Sequence, residues 1–408
     1  MRKLNLYFAI IMAFLVCSFL LFLFFPPSSP LFASQRSVLF LEGKDWFADF
    51  FNVMRYMSDE GGLYFSKINE SDGHSGFPIG QFFMYPWTLL VDYSHMSLQD
   101  CWTSKSAIFS CVVYLSILIF FFWDSLNRVC EKYGVAKYNL IILLFSSVFI
   151  FSLERGNGVF MSAFLINYYL VFYDSDKTFL KRFALVCLCF AAVLKGYPVF
   201  FGLLLLKDKR YKDILFCIVF TLIIAFVPFA FMERGFENLS KMIENTGYNN
   251  AAYIHNFLYL FGLHKLVFLA CSVARLSESM IDDIISFTRI LETTLGLITF
   301  VIVLVEKRLH RQLLLIVCAV LLMPINSGFY CALFLFPVIL VFFKERELEK
   351  LDYLLMVLLC LVINPFQVKV NGCPLTPLMS NVSMITMWVI LIITSIPQFK
   401  KIQIKQLL

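Results

Sequence analysis

Three polar clusters interrupt otherwise apolar sequence, and their residue types could hold an anion and move a proton. Glu154-Arg155-Gly156-Asn157 lies between two short apolar runs. Gly156 permits a tight reversal there, and Asn157 can cap the helix that follows. Lys195-Gly196-Tyr197-Pro198 repeats the arrangement at a second turn, again with a cation, then a glycine. The third cluster runs from Lys44 to Tyr56 and carries Asp45 and Asp49, with Asn52 and Tyr56 continuing the same face if the stretch is helical. A charge at membrane depth costs at least about 2.5–3.5 kcal/mol, so cations and carboxylates in such places are functional candidates. Competing structural readings are a helical hairpin cap for the first cluster, a snorkelling lysine for the second and an amphipathic surface helix for the third.

The elements that must position these groups follow from composition. The chain has 408 residues, 60% hydrophobic and only 15% charged, with 48 phenylalanines. A soluble protein carries about 25% charged residues, so this excess of apolar side chains requires lipid as solvent. The expected fold is an all-α polytopic membrane protein, a single integral membrane domain over residues 1–408. A helix needs about 20 apolar residues to cross about 30 Å of hydrocarbon, fewer where polar ends sit below the surface. That ruler predicts about twelve transmembrane helices, near 5–25, 106–123, 139–153, 157–173, 183–194, 197–206, 214–231, 289–305, 312–323, 329–343, 351–364 and 381–397. The twelve-residue run before Lys195 is too short to span, which predicts a turn lying within the membrane.

The basic residues orient these spans. With the N-terminus in the cytoplasm, seven inner segments total 59 residues and hold 21 of the 34 Lys and Arg. This strong positive-inside bias predicts a multi-pass plasma-membrane protein with both termini cytoplasmic. Two sizeable loops, about 26–105 and 232–288, then face outside with their own loop helices. The apolar run 257–274 is interrupted by His264 and Lys265, and it reads as an interfacial or re-entrant helix pair on the outer side.

Several function classes are excluded or disfavoured. The net charge of +6 resides in short loops between spans and implies no nucleic-acid partner. No P-loop or Gly-rich dinucleotide fingerprint occurs, so ATP-driven transport by this chain is disfavoured. Most of the twelve cysteines lie in apolar runs, where a thiol behaves as a small hydrophobe; Cys101 and Cys373 in outer loops leave one disulfide open, with free thiols the expected state. No metal site is assigned. Asp174-Ser175-Asp176 falls in a short cytoplasmic loop and reads as solvated, and the requirement for a metal stays open.

One carboxylate beside two cations at the outer face suits glycosyl transfer from a lipid-phosphate sugar. The departing phosphate gains a second negative charge, and cations such as Arg155 and Lys195 stabilise it more than the ground state. The residues also resemble the polytopic GT-C glycosyltransferases, most closely the bacterial family 87 type related to polyprenyl-phosphate-mannose-dependent mannosyltransferases. The resemblance rests on Asp49-Phe50-Phe51-Asn52 with Arg55 and Gly61-Gly62-Leu63-Tyr64, on Phe77-Pro78 and Tyr85-Pro86, on Gly156-Asn157 with Lys195-Gly196-Tyr197-Pro198, and on His255-Asn256 and the 323–330 turn. It covers about residues 45–343. The Gly-Asn pair lacks the family's usual spacing, and His255-Asn256 stands where the family has an Asn-Gln-Ser-like run.

The resemblance implies a GT-C-like fold and an inverting hexosyltransferase, with mannose the commonest sugar. The donor would be a polyprenyl-phosphate sugar and the acceptor a glycan or glycolipid at the cell envelope. Asp49 would act as catalytic base, with Asp45 as runner-up on the same face. Arg155 and Lys195 are assigned to the donor phosphate on charge and depth. Asn157, Tyr197, His255, Asn256 and Tyr330 are expected in the sugar and acceptor pocket. The alternatives are a polymerase or ligase for lipid-linked oligosaccharides and, further off, a polysaccharide-precursor transporter.

Overall fold

A computed structural model describes residues 46–66, 73–345, 347–365, 369–370 and 373–407. The predicted first span at 5–25 and the runner-up base Asp45 lie outside the described residues.

The described chain is all-α apart from two two-residue strand pairs. Four helical segments are long and apolar enough to cross a membrane: α5 (Lys105–Tyr133), α11 with its 3-10 extension (Tyr211–Phe231), α14 (Glu278–Val305) and the first part of α18, Leu375–Ile396. Shorter apolar helices fill the space between them, among them α8 (Val159–Phe172), α15 (Leu309–Leu322) and α16, Leu335–Lys344. In α15 every residue after Leu309 is buried, which makes it the centre of the bundle. By contrast α11 buries only Ala225 and exposes Leu215, Phe216, Ile218, Val219, Leu222 and Ile223. An exposed apolar face this extensive is what lipid contact requires.

Inside the bundle, small polar side chains tie helix to helix. Ser162 Oγ on α8 donates to the Ala191 carbonyl on α9 (Thr178–Lys195) at 3.1 Å, and Asn167 Nδ2 donates to Ser125 Oγ on α5 at 3.0 Å. Trp388 Nε1 donates to Thr299 Oγ1 at 2.6 Å, joining α18 to α14. Such interhelical bonds replace the water that an apolar core withholds.

Two predicted spans take a different form. The run 139–153 is broken into α6 (Asn139–Leu144) and α7 (Ser147–Arg155), because Ser146 leaves the helical conformation and its Oγ caps the second piece by accepting from Phe149 N at 3.3 Å. The helix ending at Lys195 begins at Thr178 and has 18 residues, about 27 Å of rise. Hydropathy alone trimmed its charged first turns, so the short-run argument for a turn buried in the membrane does not hold. The 257–274 run becomes strand β1 (Leu260–Phe261) and an eleven-residue helix α13, Leu263–Val273, whose rise of about 16 Å is half the hydrocarbon thickness.

At the end of the bundle carrying the Gly156 and Gly196 turns sit the loop elements: α1 (Ala48–Ser58), the short helices α2 (Pro78–Phe82), α3 (Tyr85–Thr88) and α4 (Leu98–Thr103), and α12 (Glu237–Ile254). Ten cysteines, Cys101 among them, are free thiols. Because they are buried or half-buried, sidedness can be read with introduced thiols. Ser240→Cys on exposed α12 is expected to react with an impermeant maleimide in intact cells, and Lys307→Cys between α14 and α15 only after permeabilisation. Equal labelling of both in intact cells would contradict the predicted orientation.

Candidate functional site

The N-terminus of α1 docks on the turn after α7. Phe47 N donates to the Glu154 carbonyl at 2.6 Å, and Phe47 itself takes a left-handed conformation. Gly156 also has positive φ, and a Cβ there would lie 3.2 Å from Phe47 Cα and Phe50 Cβ. Only glycine meets both demands. Phe50 and Phe51 are fully buried, packing at a tilt on Tyr114 and Tyr93 with centroids 4.9 and 6.5 Å apart. Those apolar anchors fix the opposite, polar face of α1 over the turn. Gly156→Ala is therefore expected to cost about 1–2 kcal/mol of stability from the left-handed backbone alone and to push α1 outward. A thermal scan in detergent that matches wild type would contradict this reading.

Docking brings Asp49 onto the turn. Arg155 Nη2 lies 2.5 Å from Asp49 Oδ1, and Asn157 Nδ2 donates to Asp49 Oδ2, also at 2.5 Å. The Asn157 amide has a defined orientation, because its Oδ1 accepts from Val159 N at 2.8 Å, although Gly158 and not Asn157 takes the N-cap position of α8. Arg155 occupies the last turn of α7, where a cation complements the helix dipole. The Asp49 and Arg155 side chains remain 22% and 21% exposed, so the pair is reachable from solvent. A carboxylate has about four lone-pair directions, and two accepted bonds leave room for a hydroxyl donor.

Lys195 enters from the second turn. It ends α9, with Gly196 following at positive φ. Its Nζ lies 5.6 Å from the centroid of the Tyr330 ring, within cation–π range. Tyr330 belongs to a 3-10 segment (Phe329–Phe334), and its ring runs parallel to Phe151 of α7 at 6.3 Å. Phe151 lies one turn before Arg155, so the Tyr330 ring sits between Lys195 and the helix that carries Arg155. Arg155 is engaged by Asp49, whereas among the described residues no carboxylate comes within ion-pair distance of Lys195. The two cations predicted for the phosphate thus differ: Lys195 is the uncompensated one. One turn below it, Ala192 borders an apolar cavity of about 400 Å³ lined by Leu188, Leu203, Leu206, Ile218 and Leu222. Leu206, Ile218 and Leu222 are themselves exposed, so the cavity opens sideways.

The remaining predicted pocket residues divide. Asn157 joins Asp49, and Tyr330 lies against Lys195. Tyr197 turns away: its hydroxyl lies 2.8 Å from Cys331 Sγ and its ring packs on Phe334. His255 pairs with Asp282 of α14 at 2.8 Å and stacks on Phe268, while Asn256 Oδ1 accepts from Leu258 N. Neither hydrogen-bonds to Asp49, Arg155, Lys195 or Tyr330. The loop they begin reaches the site farther on, through Tyr259. Its ring stacks on Phe151 at 5.4 Å, and its carbonyl accepts from Phe329 N at 2.7 Å.

That loop is anchored at both ends. Leu260 and Phe261 pair antiparallel with Gly328 and Ser327, and Asn381 exchanges two 3.0 Å hydrogen bonds with Gly262. The fully buried His264 holds Glu292 of α14 at 2.9 Å, and Lys265 donates to the Tyr253 carbonyl. The polar interruptions of the 257–274 run are thus anchors for the loop beside Tyr330. Asp174, of the one Asp-x-Asp, is taken by Lys132 at 2.5 Å.

His74 is the residue near the site that the sequence reading missed. It lies between Tyr56 of α1 and Tyr64, with centroids 6.0 and 5.8 Å away, and it contacts Gln81 of α2 through Nε2. Partial burial, reinforced by the charge of Lys195, pulls its imidazole down to about 4, so it is neutral at physiological pH.

No protein family matches this chain, and neither does any curated protein or solved structure.

Proposed function

We propose that the protein is an integral membrane glycosyltransferase that moves a hexosyl unit from a polyprenyl-phosphate donor to a glycan or lipid acceptor outside the cell. In this reading twelve helices span the membrane, both termini are cytoplasmic, and the Asp49 site faces out. The observation that carries the reading is a solvent-reachable carboxylate paired with Arg155 at one turn and, at the next, a lysine on Tyr330 that no described carboxylate neutralises, one helical turn from a sideways-opening apolar cavity.

Each part has a task. The cavity suits a prenyl tail, and Lys195, one turn along α9 from Ala192 on its border, suits the phosphate. The acceptor oxygen attacks the anomeric carbon while the bond from that carbon to the phosphate oxygen breaks. The proton of the acceptor hydroxyl passes to Asp49, the bonding pair leaves with the phosphate, and the anomeric configuration inverts. The lipid phosphate departs with one more negative charge, which Lys195 stabilises. Arg155 and Asn157 hold the carboxylate in place, a role that fits their contacts better than direct phosphate binding by Arg155. The test is transfer of labelled hexose from a polyprenyl-phosphate donor by purified protein, with Asp49→Asn as the inactive control. Transfer at the wild-type rate in that variant would remove the proposal.

A further inference from the structure

We propose that His74 is a further ligand-binding residue of this site, an imidazole that shares a phosphate group with Lys195. The inference rests on the reading above only in taking the anion to be a phosphate.

The contacts run from one turn to the other. Asp49 pairs with Arg155; Lys195 lies against the Tyr330 ring, which runs parallel to Phe151, one turn before Arg155 on α7; and His74 faces Tyr56, two turns along α1 from Asp49, and contacts Gln81, whose neighbour Gly80 packs on Leu194, the residue before Lys195. His74 thus belongs to the loop that packs beside the Lys195 turn.

The loop that carries His74 is built to hold it there. Asn245 Nδ2 donates to the His74 and Tyr64 carbonyls, both at 2.9 Å, and Tyr64 Oη donates to the Gly76 carbonyl at 2.7 Å. Asn249 Nδ2 reaches the Gly73 carbonyl at 3.3 Å and Ser75 Oγ at 3.1 Å. A Cβ at Gly73 would overlap the Asn245 amide, so glycine there is what lets the clamp close.

Gln81 engages Nε2, which leaves Nδ1 without a hydrogen bond to any described residue. An imidazole buried for core packing alone has its polar atoms satisfied by the core. Here one nitrogen is fixed and the other is open to solvent, in a loop that packs beside a lysine no described carboxylate neutralises. A phosphate oxygen satisfies both at once, accepting from the neutral imidazole N–H and from the ammonium.

The test measures binding without chemistry. Purified full-length protein is titrated with farnesyl monophosphate, with inorganic phosphate and with farnesol as the uncharged control. Wild type is expected to bind farnesyl monophosphate and not farnesol. His74→Phe, which keeps a ring without the hydrogen bond, should weaken phosphate binding about tenfold or more, the loss of one hydrogen bond to a charged group. His74→Asn, whose amide can stand in for Nδ1, should stay within about threefold of wild type. Lys195→Gln should weaken binding at least as much as His74→Phe. Parallel weakening toward inorganic phosphate assigns the site to a free phosphate group, whereas a response confined to the prenyl probe assigns it to a lipid headgroup. Undiminished binding in a folded His74→Phe protein, equal loss in His74→Phe and His74→Asn, or no phosphate binding by wild type would each overturn the inference. His74-dependent binding in a protein that transfers no sugar would sink the transferase reading and keep this one.

Discussion

Asp49→Asn is expected to lower sugar transfer by about 10²–10⁴-fold while leaving the abundance of the protein in membranes unchanged. The substitution keeps the size of the side chain and a carbonyl oxygen able to accept from Arg155 or Asn157, so the docking of α1 survives. What it removes is the only group in the Asp49–Arg155–Asn157 cluster able to take a proton from an acceptor hydroxyl. The α1 helix is held mainly by Phe50 and Phe51, which are fully buried and independent of that chemistry. A pure loss of rate is therefore separable from unfolding. Activity retained in Asp49→Asn and lost in Asp45→Asn would move the base to the other carboxylate.

Lys195→Gln should lower the turnover number by about 10²–10³-fold, the size expected when one donor to a developing anion is removed. The effect is large because no carboxylate among the described residues neutralises Lys195, so its charge acts on whatever occupies the site. Lys195→Arg keeps the charge and should retain most of the rate. Arg155 differs in kind, since its guanidinium is engaged by Asp49. Truncating it should act through the carboxylate, and its effect should largely vanish in an Asp49→Asn background, as coupled residues do in a double-mutant cycle. Wild-type turnover in Lys195→Gln would remove the lysine from the mechanism.

The sequence made the two turns legible because a cation followed by glycine, flanked by apolar runs, has few solutions in lipid. It also singled out Asn157 at the start of α8, although Gly158 takes the cap position there. It did not reveal the partnership of Asp49 with Arg155, since that depends on Phe47 and Gly156 meeting across the fold. Nor could it orient Tyr197, whose hydroxyl satisfies a buried thiol brought by α15 and the 3-10 segment beyond it. His255 and Asn256 were named for a pocket, but it is Tyr259, a few residues later, that reaches Phe151 beside Tyr330. His74 gave no signal because its loop has no hydrophobic period; only the amides of α12 and the rings of Tyr56 and Tyr64 define its place. Helix limits failed where polar residues join an apolar helix, as at Thr178–Lys195, or where a serine cap divides one, as at Ser146.

The most direct measurement is the release of polyprenyl phosphate from a polyprenyl-phosphate-linked hexose by purified protein supplied with a glycan acceptor. The account predicts stoichiometric release of lipid phosphate and transfer of sugar in wild type, with both lost together in Asp49→Asn and in Lys195→Gln. Undiminished release in both variants, or no release by folded wild-type protein across a panel of hexoses and acceptors, would contradict it.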